Sequence, residues 1–330
     1  MNGLLLIDDE EGIRRSITRA LAREPYHVFP ASDGTSGINI FKDNLNRIST
    51  VISDYRMPGL DGLETLSEIG KLNPEITRIL LTGYATMEAA IQSTNIGIDG
   101  FLTKPFDNVE LRTKIHEISV RKHLRQFVPE QVYREIENST GILTPKTHEV
   151  SVLFSDIRGF TAMSKGTSPA SLVKFLNDYF FTPMGEIAYQ HQGMVDKHIG
   201  DSMMVVYGAP VPRENDACMA VQSAVAMQQA AVEINEKLSL KNGFRLKMGI
   251  GISTGSVYSG ILGSLRRKEY TSIGMAVNIA AKLQGAAGEG EILVTEATLK
   301  HLPEEIETQK MPPLCVKGID DPIAVYRVAW

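Results

Sequence analysis

Four short apolar runs near the start of the chain each end on a residue that can hold or meet charge. Leu4–Ile7 runs into Asp8 and Asp9, Val51–Ser53 into Asp54, Arg78–Leu81 into Thr82, and Gly100–Thr103 into Lys104. Helical patterns separate them, at Ile13–Arg23, Leu63–Lys71 and Met87–Thr94, with another from Val109 onward. Such alternation predicts an α/β domain with a five-stranded, doubly wound parallel sheet covered by helices on both faces. Ligands of these sheets collect at the carboxyl ends of the strands, so all five chain positions converge on one edge.

Three carboxylates brought to one pocket repel one another unless a hard cation neutralises them, which makes Mg2+ the expected occupant. One of the carboxylates can then act as a nucleophile toward phosphorus.

These residues, with the run Asp54–Tyr55–Arg56–Met57–Pro58–Gly59–Leu60–Asp61–Gly62, Thr82–Gly83 and Lys104–Pro105–Phe106, resemble response-regulator receiver domains over roughly the first 120 residues. The resemblance implies that Asp54 is the phosphoacceptor and that Asp8 or Asp9, with Asp54 and the Arg56 carbonyl, holds one Mg2+. It further implies that Thr82 and Lys104 engage the phosphoryl group, that Phe101 is a switch aromatic, and that Lys104–Pro105 is a cis peptide. A sensor histidine kinase is the partner such a domain calls for.

From Asn108 to about Asn138 the chain is charged and amphipathic, and the stripe Leu111, Ile115, Ile118 gives way to Val120, Leu124, Phe127. Two readings stand: a plain final helix plus linker, or a coiled-coil-like seam that relays dimer geometry. Pro129 breaks this helix or starts a second one at Glu130–Ile136. The expected division is a receiver at 1–118, a helical linker at 119–145 and a second domain at 146–330.

In that second domain the predicted order is strand Val150–Phe154, long helix Ser168–Gln190, then strands Met194–Ile199 and Met203–Tyr207 joined at Gly200–Asp201. Helix Glu214–Lys237 follows, then strands Arg245–Ser253, Ser256–Ile261 and Lys268–Ile273, and helix Ala276–Gly285. This order suits an α+β sheet of ferredoxin-like type. Asp156 follows the first strand, and Asp201 occupies a hairpin tip whose Gly200 permits a tight turn. If the strands are neighbours, both carboxylates reach one spot, as a two-metal site for phosphoryl chemistry requires.

The stretches Phe154–Thr161, Val195–Asp201 and Tyr270–Gly274 with Val277–Asn278 resemble the class III nucleotidyl cyclases, over roughly Glu149 to Val328. By resemblance, the ribose 3′-oxygen of a nucleoside triphosphate attacks its own α-phosphorus and pyrophosphate leaves. Asp156, Asp201 and the Ile157 carbonyl would hold two Mg2+ or Mn2+ ions. Across a homodimer interface Lys197 and Thr271 would read the purine, and Asn278 would orient the ribose. Lysine with threonine suits adenine, whereas guanylyl cyclases typically carry Glu and Cys there, so ATP and cyclic AMP are the expected substrate and product. Thr271 also resembles members of the family that respond to bicarbonate.

One position departs from the family pattern. Four residues after Asn278, where an arginine usually meets the transition-state phosphate, the chain has Lys282, which keeps the charge but not the planar fork. Arg266, Arg267 or Lys317 are bases that could assist. The alternative reading is a cyclase fold of low or no turnover, a nucleotide-responsive interaction module under receiver control; a third is a cyclase of different purine preference. Met275, which replaces a common acidic residue, has no assigned catalytic consequence.

Composition narrows the partners. The 330 residues are 43% apolar with a net charge of −5, ordinary for globular domains and poorly suited to gripping a phosphate backbone. No basic, amide-rich recognition helix is evident, so a nucleic-acid partner is not expected. The two cysteines, Cys218 and Cys315, lack metal-ligand spacing. No apolar run reaches membrane-span length, so a cytoplasmic protein without a membrane partner is expected. His198 reads as a sheet-surface or core histidine rather than a base, and the methionines Met203, Met204, Met219 and Met227 read as packing residues.

Overall fold

The computed structural model describes residues 2–83, 97–125, 127–138, 144–239, 245–264, 266–316 and 321–330. The chain forms two compact units, residues 1–127 and 128–330.

The first unit is a five-stranded sheet of β1 (Asn2–Ile7), β2 (Tyr26–Ala31), β3 (Ile48–Asp54), β4 (Thr77–Thr82) and β5 (Gly100–Thr103). Its order is β2-β1-β3-β4-β5, and every pairing is parallel. Alternate residues of each strand serve opposite faces. Leu4, Leu6, Ile79 and Leu81 pack with Ile17 of α1 (Glu11–Leu21) and Ile115 of α4 (Asn108–Arg125). Leu5, Ile7, Val51 and Leu80 pack on the other face with Phe41 of α2 (Gly34–Asp43) and Leu66 of α3 (Gly62–Leu72). Strand β2 holds His27 and Pro30, which blur a strand signature; Pro30 is tolerated because β2 is an edge. The expected helix Met87–Thr94 lies outside the described residues.

Helix α4 keeps its hold on the first unit through buried Leu111, Ile115 and Ile118, and then through Lys122, whose Nζ lies 3.0 Å from Asp99. Val120 and Leu124, on either side of Lys122, are exposed.

In the second unit, helix α5 (Glu130–Asn138) buries Val132 and ties Gln131 Nε2 to the Gly193 carbonyl at 2.8 Å. The sheet contains β6 (Lys146–Ile157), β7 (Met194–Ile199), β8 (Ser202–Tyr207), β9 (Met248–Gly263), β10 (Lys268–Ile273), β11 (Ile292–Thr295), β12 (Thr308–Leu314) and β13 (Ile323–Val328). Strand order is β12-β13-β11-β9-β6-β8-β7, with β10 paired to the far part of β9. Leu153, Val205, Ile250 and Ile252 pack with Phe180 and Val221, and on the opposite face Val152, Phe154, Met204 and Val206 pack with Ala276 and Ala280. Met203, Met204 and Met227 are buried in these layers as packing residues.

Two expected elements differ. The strands Arg245–Ser253 and Ser256–Ile261 are one strand, β9, because β6 pairs with it without a break from Ile157 opposite Met248 to Lys146 opposite Ser259. The buried Thr254 hydroxyl, bonded to Ser151 and Thr298, anchors the join. After the short helix α6 (Phe160–Ser164), the long helix Ser168–Gln190 is divided into α7 (Pro169–Leu176), a π-turn at Asn177–Phe181 and α8 (Thr182–Gln190). Pro183 lacks the N–H that an unbroken ladder needs there. The remaining helices are α9 (Asp216–Ser239), α10 (Met275–Ala286) and α11 (Glu296–Leu299). No helix among the described residues is long and apolar enough to cross a membrane.

Candidate functional site

At the carboxyl edge of the first sheet, β1 delivers Asp8, β3 ends on Asp54, and β5 leads to Lys104. Asp8 and Asp54 are buried. Lys104 Nζ lies 2.9 Å from Asp8 Oδ2 and is hydrogen-bonded to Asp54 Oδ1. Asp54 Oδ2 accepts from the Arg56 backbone N–H at 3.0 Å, and Asp8 Oδ1 from that of Glu10 at 2.9 Å. Burial pulls the Lys104 ammonium toward neutrality, but the hydrogen bonds and charges of Asp54 and Asp8 outweigh it and hold its pKa above the ordinary value. Gly62 is required here, since a Cβ would collide with the Asp54 carbonyl.

Thr82 ends β4 and is buried, whereas Asp9 and Phe101 are exposed. The Lys104–Pro105 peptide is cis.

In the second unit, Asp156 near the end of β6 lies opposite Ser202, the first residue of β8, and Asp201 forms the intervening β7–β8 turn. Gly200 takes a φ of 63° to make that turn, a backbone region that costs a side chain. Three groups hold Asp156: Ser202 Oγ donates to Oδ1 at 2.8 Å, while Arg158 Nη1 and Gln284 Nε2 each donate to Oδ2 at 2.9 Å. Arg158 also donates to the Gln284 carbonyl. Burial and then the adjacent Asp156 carboxylate push the Asp201 carboxyl up, against the pull of Arg158. Two carboxylates close enough to repel are the donor set a hard divalent cation neutralises, so a cation fits here.

Lys197 and Thr271 line one cleft of about 520 Å³ with Phe154, Arg267, Glu269 and Val277. Neither Asp156, Asp201, Asn278 nor Lys282 is among its described lining residues. Asn278 and Lys282 are one turn apart and both exposed on α10. Lys317 lies outside the described residues. The His198 ring sits 4.2 Å from that of Phe181, and burial pulls its pKa down.

Sequence reasoning missed Arg158 and Gln284 as holders of Asp156, and Asp196 beside Thr271. Strict alternation would put Asp196 and Lys197 on opposite faces of β7. A register shift between Val195 and Lys197 breaks that rule. Asp196 then accepts from Thr271 Oγ1 at 2.8 and 2.9 Å and lies 3.4 Å from Lys197 Nζ.

Comparison with known proteins decides the family. The profile of the adenylate and guanylate cyclase catalytic domain matches residues 142–329, and that of the response regulator receiver domain matches residues 4–116. The chain belongs to the adenylate and guanylate cyclase family, with a receiver domain fused ahead of the cyclase domain. An adenylate cyclase of Anabaena cylindrica is 35% identical over 191 residues, covering 55% of this chain and 37% of that protein. One from Mycobacterium tuberculosis is 32% identical over 196 residues, covering 59% of this chain. The chain thus spans only 37% and 43% of the length of these two relatives. Among solved structures, the adenylyl cyclase CyaB from P. aeruginosa superposes with a TM-score of 0.55 at 33% identity, over 57% of this chain and 96% of that one. The guanylyl cyclase Cya2 does so at 0.52 and 34% identity, over 56% and 93%. Overall likeness therefore does not choose the purine. The cyclase family implies divalent-metal use.

Proposed function

We propose that this chain is a receiver-controlled adenylyl cyclase that converts ATP to 3′,5′-cyclic AMP and pyrophosphate as a homodimer. The observation that carries the adenine reading is the placing of Lys197 and Thr271 on the walls of one cleft. The ammonium can donate to a ring nitrogen of adenine, and the threonine oxygen can meet its amino group. An acidic residue, suited to guanine's donors, is present at Glu269 but is occupied by Lys197 at 2.8 Å.

Asp156, Asp201 and the Ile157 carbonyl would hold two divalent cations, Mg2+ or Mn2+. When bound, such ions supply positive charge to the triphosphate and to the attacking ribose oxygen. Arg158, Gln284 and Ser202 keep Asp156 oriented for that task. Asn278 orients the ribose, and Lys282 meets charge developing on the α-phosphate. That the carboxylates are absent from the cleft walls supports a site completed by a second copy. Exposed Tyr258, Ile261, Ile273 and Met275 lie on the elements that would face it.

Incubation with Mg2+ or Mn2+ and either ATP or GTP should yield cyclic AMP from ATP at a rate at least tenfold above cyclic GMP from GTP. Cyclic GMP alone would overturn the adenine assignment, and neither product would favour the second reading, a nucleotide-binding module, for which Lys282 is the motivating residue.

In the receiver, Asp54 accepts a phosphoryl group from a sensor kinase, with Asp8 or Asp9, Asp54 itself and the Arg56 carbonyl holding one Mg2+, Thr82 and Lys104 meeting the phosphoryl oxygens and Phe101 following the switch. The helix from Asn108 then carries the change toward the cyclase. Asp54→Ala should abolish phosphoryl incorporation from an acyl phosphate, read by intact-protein mass, and with it any phosphodonor-dependent change in cyclase rate. A response that survives in this variant would refute control through Asp54.

A further inference from the structure

Lys197 and Thr271 share a buried partner that no cyclase role yet accounts for. The Asp196 side chain has no solvent-exposed surface. It is held by the Thr271 hydroxyl, which donates to both its oxygens, by Lys197 Nζ at 3.4 Å, and by the Ser272 backbone N–H. A carboxylate buried this deeply is costly unless each oxygen is satisfied, so the β7 bulge and its three donors form a built arrangement. Lys197 is restrained from its other side by Glu269 at 2.8 Å.

A hydroxyl has a single proton. With that proton turned to Asp196, Thr271 Oγ1 has only lone pairs left for the cleft. Adenine carries an amino donor at its 6-position, where guanine carries a carbonyl acceptor. We infer that Asp196 is a positioning residue for purine choice: it fixes the Thr271 proton so that the hydroxyl oxygen accepts from adenine and repels guanine. This inference rests on the adenine reading above and adds the residue that enforces it. Threonine alone would be indifferent, because a free hydroxyl can rotate to donate or accept. Lys197 donates to either purine's acceptors and discriminates less.

The test uses the full-length protein and non-cleavable analogues of ATP and GTP, with dissociation constants measured by calorimetry beside cyclase rates. Asp196→Asn keeps the shape but lets an amide donate to Thr271, freeing the hydroxyl proton for the cleft. The preference for the ATP analogue should fall by roughly tenfold, the scale of one well-placed neutral hydrogen bond. Thr271→Val should cause a similar fall, and the double variant should fall no further than either single one. An unchanged preference in Asp196→Asn, or additive losses in the double variant, would overturn the role of Asp196 and leave the adenine reading intact. A wild-type protein with no preference for the ATP analogue would overturn both. Should Asp196→Asn not fold, Asp196→Ala decides: with no acceptor left for the Thr271 proton the preference should fall as it does in Thr271→Val, and an Asp196→Ala variant that keeps the preference would reject the inference.

Discussion

Asp201→Asn should lower cyclic nucleotide formation by about 10³-fold or more while leaving the melting temperature unchanged or slightly raised. The rate follows from charge, because a bound cation contributes several kcal/mol of transition-state stabilisation and each ~1.4 kcal/mol is a factor of ten. The stability follows from the same charge with opposite sign. Burial and then the neighbouring Asp156 carboxylate push the Asp201 pKa up, so a neutral isostere removes a desolvation cost and a repulsion from the folded state. Gly200 continues to make the turn. Asp156→Asn is a less clean probe, since Asp156 also anchors Arg158, Gln284 and Ser202. Turnover at saturating Mn2+, read with thermal unfolding, checks the pair. A variant within tenfold of wild type and equally dependent on Mn2+ would remove Asp201 from the cation site.

The elements that bring these groups together were largely legible in the sequence, for identifiable reasons. Strands β1, β3, β4 and β5 are short apolar runs closed by a charged or hydroxyl residue, and a parallel sheet brings such ends to one edge whatever the intervening helices do. Lys104 between Asp8 and Asp54 follows from that topology alone. Asp156 and Asp201 were legible because Gly200–Asp201 marks a hairpin, and β8 pairs with β6. What remained hidden depends on departures from regular geometry. Asp196 shares its surroundings with Lys197 only because β7 carries a bulge, and no residue in Met194–Ile199 announces one. Gln284 reaches Asp156 from 128 positions away in the chain, a contact that helical periodicity in α10 does not encode. The single long β9 is interrupted in sequence by Gly255, which weakens a strand pattern, yet its partner β6 continues past it.

Lys282→Arg should raise turnover by about tenfold, and Lys282→Ala should lower it by one to two orders of magnitude, both with KM for ATP changed less than kcat. Lys282 is exposed on α10, one turn beyond Asn278, so its ammonium is a mobile point charge with a hydration shell to shed. A guanidinium at that place offers two parallel donors in a fixed plane, matched to two phosphoryl oxygens as negative charge spreads over them. Donors that act only on that developing charge are commonly worth 10² to 10³ in rate, and a lysine retains part of it. Because the gain appears only in the transition state, it belongs to kcat. The two substitutions together separate the remaining assignments. If arginine gives no gain and alanine no loss, Lys282 does not meet the phosphate, and Arg267 on the cleft wall becomes the base to replace next. If wild type is nearly silent and Lys282→Arg awakens it, the chain is a cyclase whose output is set low by one side chain.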